Sequence, residues 1–234
     1  MKSFLIQEKN TGNDSHDQKL PVLICGIDEA GRGPLAGPVY AASVILSKDF
    51  PYKILNDSKK LSAADREKAR SFILEKALAW GIGAASHTEI DSINILQASL
   101  LAMKRAFEDM LKRASDDLLG EKITIIVDGK FIPDISTGDI NPEDLKKRAG
   151  PLQTSDYLSV VSCTALIKAD AKVEEVMAAS ILAKTERDSF MKEMSLLYPQ
   201  YCYEKHKGYP TQAHREAVLK YGPSPIQRMT FKVK

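Results

Sequence analysis

The fold is decided by the stretch Val22-Leu-Ile-Cys-Gly-Ile-Asp-Glu-Ala-Gly-Arg-Gly-Pro34. Its apolar run, Val22 to Ile27, predicts a buried strand that ends at Asp28. The glycines and proline that follow predict a loop, and Val39 to Leu46 predicts a second strand that pairs with the first as a hairpin. An early hairpin favours a mixed sheet over a wholly parallel one.

Strands and helices alternate along the rest of the chain. Strands are predicted over 80–85, 123–127 and 158–167. Helices are predicted from Ser62 to about Leu78, from Thr88 or Asp91 onward, from about Val173 to Met194, and over Gln212 to Lys220. This order favours an α/β fold, a mixed sheet flanked by helices, with a small C-terminal helical extension.

Composition places the chain among ordinary globular proteins. The 234 residues include 33 basic and 31 acidic ones, a net charge of +2, so any positive surface for nucleic acid must be local. Three distant cysteines argue against a disulfide framework and a structural zinc site. No run approaches the ~20 apolar residues of a membrane helix, and residues 1–19 lack a signal-peptide core. We therefore expect a cytoplasmic protein with no membrane partner.

Each of three predicted strands runs into an acidic residue. These residues are Asp28, with Glu29 beside it, Asp128 and Asp170. If the strands are neighbours, four carboxylates converge, and their mutual repulsion favours binding of two divalent cations. The alternative is that acids after strands form turns or cap helices. Spacing alone leaves both interpretations open.

The glycine loop Gly31-Arg32-Gly33-Pro34 follows the first two acids directly. Glycines let backbone N–H groups approach a ligand, and Arg32 supplies a permanent charge for phosphate. The alternative is a plain hairpin loop. The loop fits neither a Walker motif nor a dinucleotide-binding fingerprint.

Six segments in chain order resemble ribonuclease HII, the type 2 ribonucleases H. They are Gly26-Ile-Asp-Glu-Ala-Gly-Arg-Gly-Pro-Leu-Ala-Gly-Pro-Val39, Asn56-Asp-Ser-Lys-Lys-Leu-Ser62, Ile90-Asp-Ser-Ile-Asn-Ile-Leu-Gln-Ala98, Ile126-Val-Asp-Gly129, Ala178-Ala-Ser-Ile-Leu-Ala-Lys184 with Arg187-Asp188, and Lys207-Gly-Tyr-Pro-Thr211 with His214. Together they extend over about residues 22 to 231.

The resemblance implies a ribonuclease-H-like fold and a two-metal endonuclease. Its metal ligands and catalytic residues would be Asp28, Glu29, Asp128 and Asp170, with Mg²⁺ or Mn²⁺ as cofactor. It implies hydrolysis of the RNA strand of RNA–DNA hybrids. It also implies cleavage on the 5′ side of ribonucleotides embedded in duplex DNA, which leaves 3′-hydroxyl and 5′-phosphate ends.

The resemblance further implies how substrate is bound. Gly31-Arg32-Gly33 would grip the RNA–DNA junction and sense the 2′-hydroxyl, and Tyr209 would stack on the following deoxynucleotide. On this basis we predict a mobile extension at 1–20, a catalytic domain at 21–197 and a substrate-contacting segment at 198–234, all within one structural domain.

Four positions depart from the family pattern. Lys130 stands where the family has Asn, and Lys168-Ala169-Asp170 stands for its Lys-Gly-Asp. The stretch Pro133 to Ser155 is longer than the usual link, which leaves the register of Asp170 open. Ile226-Gln-Arg-Met-Thr-Phe231 replaces a segment with the family pattern His-Arg-x-Ser-Phe.

Several further residues are candidates for substrate contact. Ser180 and Lys184 share one helix face with Asp188, and we predict that the first two contact phosphates; a solvated polar face is the alternative. We expect Asp188 to pair with Arg187 or Lys184. Lys59 is a candidate for contact with the backbone of the nucleic acid.

The remaining alternatives concern function and partners. Gln227 to Phe231 vaguely resembles a sliding-clamp peptide, and His214 is expected to be structural. We expect a monomer. Two other functions compete with the ribonuclease. The chain could be another metal-dependent nuclease or phosphatase that uses the same acids, or a non-catalytic nucleic-acid-binding protein.

Overall fold

The computed structural model describes residues 22–55, 61–115, 118, 121–135 and 159–233. The predicted N-terminal extension, Lys59 and all but the first three residues of the long stretch from Pro133 to Ser155 lie outside the described residues. No helix in the described part of the chain is long and apolar enough to cross a membrane.

A five-stranded mixed sheet forms the centre of the described structure. Its strands are β1 (Leu23–Ala30), β2 (Val39–Ile45), β3 (Ala79–Ala85), β4 (Lys122–Asp128) and β5 (Ser159–Leu166). The order across the sheet is β3-β2-β1-β4-β5. The β1–β2 and β2–β3 pairs are antiparallel, whereas β1–β4 and β4–β5 are parallel. The predicted hairpin and mixed sheet are confirmed.

Helices cover both faces of this sheet and form the C-terminal extension. They are α1 (Ala63–Lys76), α2 (His87–Arg113), α3 (Glu174–Leu197), α4 (Tyr203–His206) and α5 (Gln212–Tyr221). Ser62 caps α1 by accepting a hydrogen bond from the Asp65 N–H, as its spacing predicts. A capping box of Ser86 and Glu89 starts α2. At Asn94 the backbone is not helical (φ 66°, ψ 165°), so α2 is kinked there.

The prediction that the first strand ends at Asp28 is wrong. Strand β1 continues through both acids to Ala30, because β2 pairs with it residue by residue, with Asp28 opposite Ala42 and Glu29 opposite Ala41. Side chains of successive strand residues point to opposite faces of a sheet. Asp28 and Glu29 therefore leave the strand on different sides.

The core is divided between the two faces of the sheet. Helix α2 buries Met103, Phe107 and Met110 against Cys25 and Ile27 of β1. On the other face, α3 and α1 pack on residues of β2 around Val44. A third cluster joins the C-terminal segment to α3 and to the loop after β1, through Ala36, Met191, Tyr201, Tyr203 and Ile226.

Helix α2 lies directly against the backbone of β3. A Cβ atom added at Gly83 would lie 2.3 Å from the Ala102 oxygen and 2.4 Å from the Ala106 nitrogen. Neither backbone atom can move without shifting the helix. Only glycine allows this close approach.

We expect Gly83→Ala to lower the free energy of unfolding by about 1–3 kcal/mol, because the added methyl overpacks a helix–strand contact. The matched control is Ala84→Val, whose added methyl groups lie on the opposite, half-exposed face of β3. Its effect should stay within roughly 0.5 kcal/mol. Chemical denaturation measures both, and equal stability of Gly83→Ala and wild type would show that α2 does not lie this close.

Candidate active site

Three aspartates converge at one edge of the sheet. Asp28 lies on β1, Asp128 ends β4, and Asp170 lies in a short 3₁₀ turn, Ala169–Ala171, that follows β5. Each offers a carboxylate oxygen, and these oxygens lie within 4.8 Å of one another. Because β1, β4 and β5 are parallel neighbours, their carboxyl ends bring the three residues together.

The local backbone explains how Asp170 reaches the other two acids. The left-handed residue is Lys168 (φ 59°), not Ala169, so the position where the family has glycine does not need one here. Ala169 is buried, and its N–H donates to Asp128 Oδ1 at 2.7 Å. Despite the Ala169 departure and the long preceding stretch, the register therefore places Asp170 beside Asp28 and Asp128.

Glu29 is not a member of this three-aspartate group. Its Oε1 atom accepts a hydrogen bond from Arg32 Nη1 at 3.2 Å, while Oε2 is buried and accepts none from the described residues. Burial raises the pKa of Glu29, the Arg32 charge opposes that rise, and the Asp128 charge adds to it. Of the four carboxylates expected to converge, three aspartates lie within 4.8 Å of one another, and Glu29 lies close enough for its charge to raise the pKa of Asp28.

Burial raises the pKa of Asp28 well above its ordinary value, and the neighbouring charges of Glu29 and Asp128 raise it further. Asp28 is only 5% exposed. The Glu29 N–H donates to Asp28 Oδ1 at 2.7 Å, and a hydrogen bond from the Ser180 side chain also stabilises the ionised form. Ser180, predicted to contact phosphate, therefore contacts a carboxylate of the site.

These residues fit a divalent metal site. The group offers only oxygen donors, which hard cations such as Mg²⁺ and Mn²⁺ prefer. Asp28 and Asp170 are buried, and the hydrogen bonds to Asp28 and Asp128 offset only part of the negative charge. The unpartnered, buried Oε2 of Glu29 is a further oxygen available to a cation.

The glycine loop lies between the acids and the C-terminal segment. Gly31 has φ 104°, and a Cβ there would lie 2.1 Å from Arg187 Nε, so only glycine fits. The Leu35 N–H donates to the Gly208 oxygen at 2.8 Å. A Cβ on Gly33 would lie 3.6 Å from Tyr209 Cε1. Tyr209 is 44% exposed, so its ring and the loop present one surface.

Comparison with known proteins identifies the family. Residues 25–234 match the family model of ribonuclease HII. A protein from Treponema denticola called ribonuclease HII is 50% identical over 218 residues, which are 91% of this chain and 99% of that protein. Another from Dechloromonas aromatica is 43% identical, over 89% of this chain and 90% of the relative.

The chain belongs to the ribonuclease HII family. It is a ribonuclease H, a metal-dependent hydrolase that cleaves the RNA strand of RNA–DNA hybrids.

Solved structures agree with this assignment. The ribonuclease H2 of Pyrococcus horikoshii OT3 is 25% identical, has a TM-score of 0.60, and covers 91% of this chain and 95% of its own. The ribonuclease HII of Archaeoglobus fulgidus, solved as a complex with PCNA, is 25% identical, has a TM-score of 0.61, and covers 91% of this chain and 96% of its own. The predicted ribonuclease-H-like fold is confirmed.

Residues from distant parts of this ribonuclease HII chain hold the loop, and sequence reasoning missed their role. Arg228 and Arg187 are both buried and donate to loop carbonyl groups. Asp91, in the Ile-Asp segment, accepts hydrogen bonds from the N–H groups of Met229 and Thr230. The sequence offered one indication of this role, because Arg187, Arg228 and Asp91 all lie in segments compared with the family pattern.

The remaining candidate residues have simple environments. Lys184 pairs with Asp188 at 3.3 Å on the surface of α3, as one of the predicted pairings has it. His214 is buried and stacks on His206 with 4.6 Å between ring centroids, which supports the structural interpretation.

We expect Asp28→Asn to stabilise the metal-free protein at the pH values at which Asp28 is ionised, because the folded state raises the pKa of this carboxyl. A raised pKa makes the ionised form unfavourable in the fold. This destabilisation of the folded protein is fully present above the pKa that Asp28 has in the folded state. It disappears as the pH falls toward the pKa of the unfolded state. The gain of the variant over wild type should therefore shrink on acidification.

Thermal unfolding with a chelator, and then with excess Mg²⁺, measures this effect. Mg²⁺ should raise the melting temperature of wild type much more than that of Asp28→Asn, since a ligand that binds only the folded state stabilises it. The control is Asp188→Asn, which removes a carboxylate of α3 that lies outside the aspartate group. This variant should respond to Mg²⁺ as wild type does. An equal Mg²⁺ response in Asp28→Asn and wild type would contradict this site.

Proposed function

We propose that Asp28, Glu29, Asp128 and Asp170 hold two divalent ions, Mg²⁺ or Mn²⁺, for hydrolysis on the 5′ side of a ribonucleotide. The products would carry 3′-hydroxyl and 5′-phosphate ends. The observation that carries this proposal is the approach of three aspartate oxygens to within 4.8 Å at the carboxyl edge of the parallel strands. When bound, two such metal ions supply an activated water and stabilise the leaving oxygen.

The chain itself orients these carboxylates. The Ala169 N–H holds Asp128, and the Glu29 N–H and the Ser180 side chain hold Asp28. The phosphate contact of Ser180 stays a prediction, and the hydrogen bond to Asp28 supports a second role for its side chain, the positioning of that carboxylate.

Recognition of the ribonucleotide is assigned to the loop Gly31-Arg32-Gly33 together with Tyr209. A 2′-hydroxyl both donates and accepts hydrogen bonds, so backbone groups close to the sugar can distinguish RNA from DNA. Arg32 and Gly33 are exposed, and Gly33 lies beside the Tyr209 ring. The ring is free on its outer side to stack on the following sugar.

Phosphate contact is assigned to Lys184, with Lys59 remaining a prediction. The Lys184 ammonium is partly exposed and paired with Asp188 only at the surface. Such a pair contributes little to stability, so a phosphate can replace the carboxylate. Because the net charge of the chain is only +2, attraction of phosphates depends on local positive groups such as this lysine.

The proposed substrates are RNA–DNA hybrids and duplex DNA with embedded ribonucleotides, which implies a role in DNA replication and repair. A monomeric state and a cytoplasmic location are part of this proposal. Sliding-clamp binding through Gln227 to Phe231 stays a separate prediction; the Archaeoglobus fulgidus relative was solved with PCNA. In this chain Gln227 is 4% exposed and Arg228 is anchored in the loop, so clamp binding would require their release.

Asp128→Asn should lower cleavage of a DNA duplex with one internal ribonucleotide by roughly 10³-fold or more, in line with loss of a major electrostatic group. Gel analysis of end-labelled strands gives the rate and the cleavage position. Wild type should cut on the 5′ side of the ribonucleotide and leave an all-DNA duplex intact. Near wild-type turnover in a folded Asp128→Asn protein, or equal cutting of all-DNA duplex, would reject the proposal.

Tyr209→Ala should weaken cleavage at an embedded ribonucleotide by about tenfold to a hundredfold, because one stacking contact contributes ~1–3 kcal/mol. Tyr209→Phe is the matched control, since it keeps the ring and removes only the hydroxyl. Steady-state kinetics on the same duplex compare the two. If Phe and Ala lose activity equally, the ring does not stack on substrate.

A further inference from the structure

One buried guanidinium anchors the ribonucleotide-recognition loop of this protein. Arg228 is 0% exposed, and its five N–H groups each donate to a loop carbonyl. The acceptors are the backbone oxygens of Gly31 (2.6 Å), Pro34 (2.8 Å), Gly37 (2.8 Å), Arg32 (3.0 Å) and Pro38 (3.2 Å). Within the described residues no carboxylate forms a salt bridge with it, and the five carbonyl dipoles compensate its charge together with the more distant charge of Asp91.

This arrangement fixes the direction of two peptide groups. In a planar trans peptide, the C=O and the following N–H point in opposite directions. The Gly31 and Arg32 oxygens face Arg228, so the N–H groups of Arg32 and Gly33 face away from it, toward the exposed side of the loop. Neither N–H donates to another group in the part of the chain that the structure describes. Two backbone donors are thus presented outward.

The buried charge also strengthens these two donors. A cation at the carbonyl oxygen polarises the peptide, which makes its N–H a better hydrogen-bond donor. Burial lowers the pKa of Arg228 to about 9, which still leaves the guanidinium charged at neutral pH.

A second buried guanidinium connects the loop to Tyr209. Arg187 Nη2 and Nε donate to the Ala36 and Pro38 oxygens at 3.1 and 3.0 Å, and Nη1 donates to the Lys207 oxygen at 3.0 Å. Its guanidinium carbon lies 5.9 Å from the centroid of the Tyr209 ring. Arg187 therefore sets the separation between the loop and the stacking ring.

We propose that Arg228 and Arg187 are positioning residues for ribonucleotide specificity: Arg228 directs the Arg32 and Gly33 N–H groups at the ribose, and Arg187 fixes Tyr209 relative to them. This inference deepens the proposed function and rests on it. Lysine cannot replace either residue, because an ammonium group lacks the planar fork that reaches several carbonyls at once.

The test compares Arg228→Lys with wild type in duplex binding, with Ca²⁺ in place of Mg²⁺ to avoid turnover. The readout is the dissociation constant of an all-DNA duplex divided by that of the same duplex with one ribonucleotide. We expect this ratio to fall by about 100-fold in Arg228→Lys, since two ribose-directed hydrogen bonds at roughly tenfold each are lost. Affinity for the all-DNA duplex should change by less than about twofold, because phosphate contacts dominate non-specific binding.

Arg105→Lys is the matched control and should keep the wild-type ratio, because Arg105 donates to the Ala84 oxygen and Glu89, away from the loop. Loss of folded protein alone would lower the apparent affinity for both duplexes equally and leave the ratio of dissociation constants unchanged. If Arg228→Lys does not fold, Arg187→Lys replaces it, and the ratio should then fall by about tenfold or more, since the contact that Arg187 positions is the stacking of Tyr209, which contributes ~1–3 kcal/mol.

An unchanged ratio in a folded Arg228→Lys or Arg187→Lys protein would overturn the inference. Failure of the proposed function is distinguishable, since wild type itself would then neither prefer nor cleave the ribonucleotide-containing duplex.

Discussion

Repulsion among buried carboxylates is the constraint on which the active site depends. The sheet order brings the ends of β1, β4 and β5 to one edge, and with them Asp28, Asp128 and Asp170. The raised pKa of Asp28 reports the free-energy cost of burying this carboxylate and, beyond that, of its proximity to the charges of Glu29 and Asp128. A fold that keeps such a site must obtain compensation, and divalent cations provide more charge in less volume than any side chain.

The recognition loop presents the opposite electrostatic arrangement. There, buried guanidinium groups of Arg187 and Arg228 face backbone carbonyl oxygens, so positive charge is compensated by dipoles. The acidic site and the loop meet at the end of β1, where the strand that carries Asp28 and Glu29 becomes the loop that we propose faces the sugar. The residues proposed for catalysis and for specificity are therefore adjacent in sequence, and distant parts of the chain stabilise them. Asp91 and the Met229–Thr230 backbone extend this support to α2.

Local pattern predicted much of this structure, but contacts between distant residues lay beyond it. The strand patterns and the Ser62 cap gave correct elements because hydrophobic periodicity and capping are local. Strand β1 runs past its predicted end because β2 pairs beyond Asp28, with Glu29 opposite Ala41. The role of Arg228 was hidden because its acceptors lie more than 180 residues away in sequence. The Ala169 departure is harmless because the positive φ lies at Lys168.

A crystal structure with Mn²⁺ and a ribonucleotide-containing duplex, with manganese located by its anomalous scattering, tests the proposed metal site most directly. We predict two manganese peaks at the carboxyl edge of the sheet, in contact with Asp28 and Asp128, with Asp170 and Glu29 completing the site. The ribonucleotide sugar should lie against the loop after Glu29. Manganese bound elsewhere, or a site that forms without Asp28, would contradict the proposed metal site.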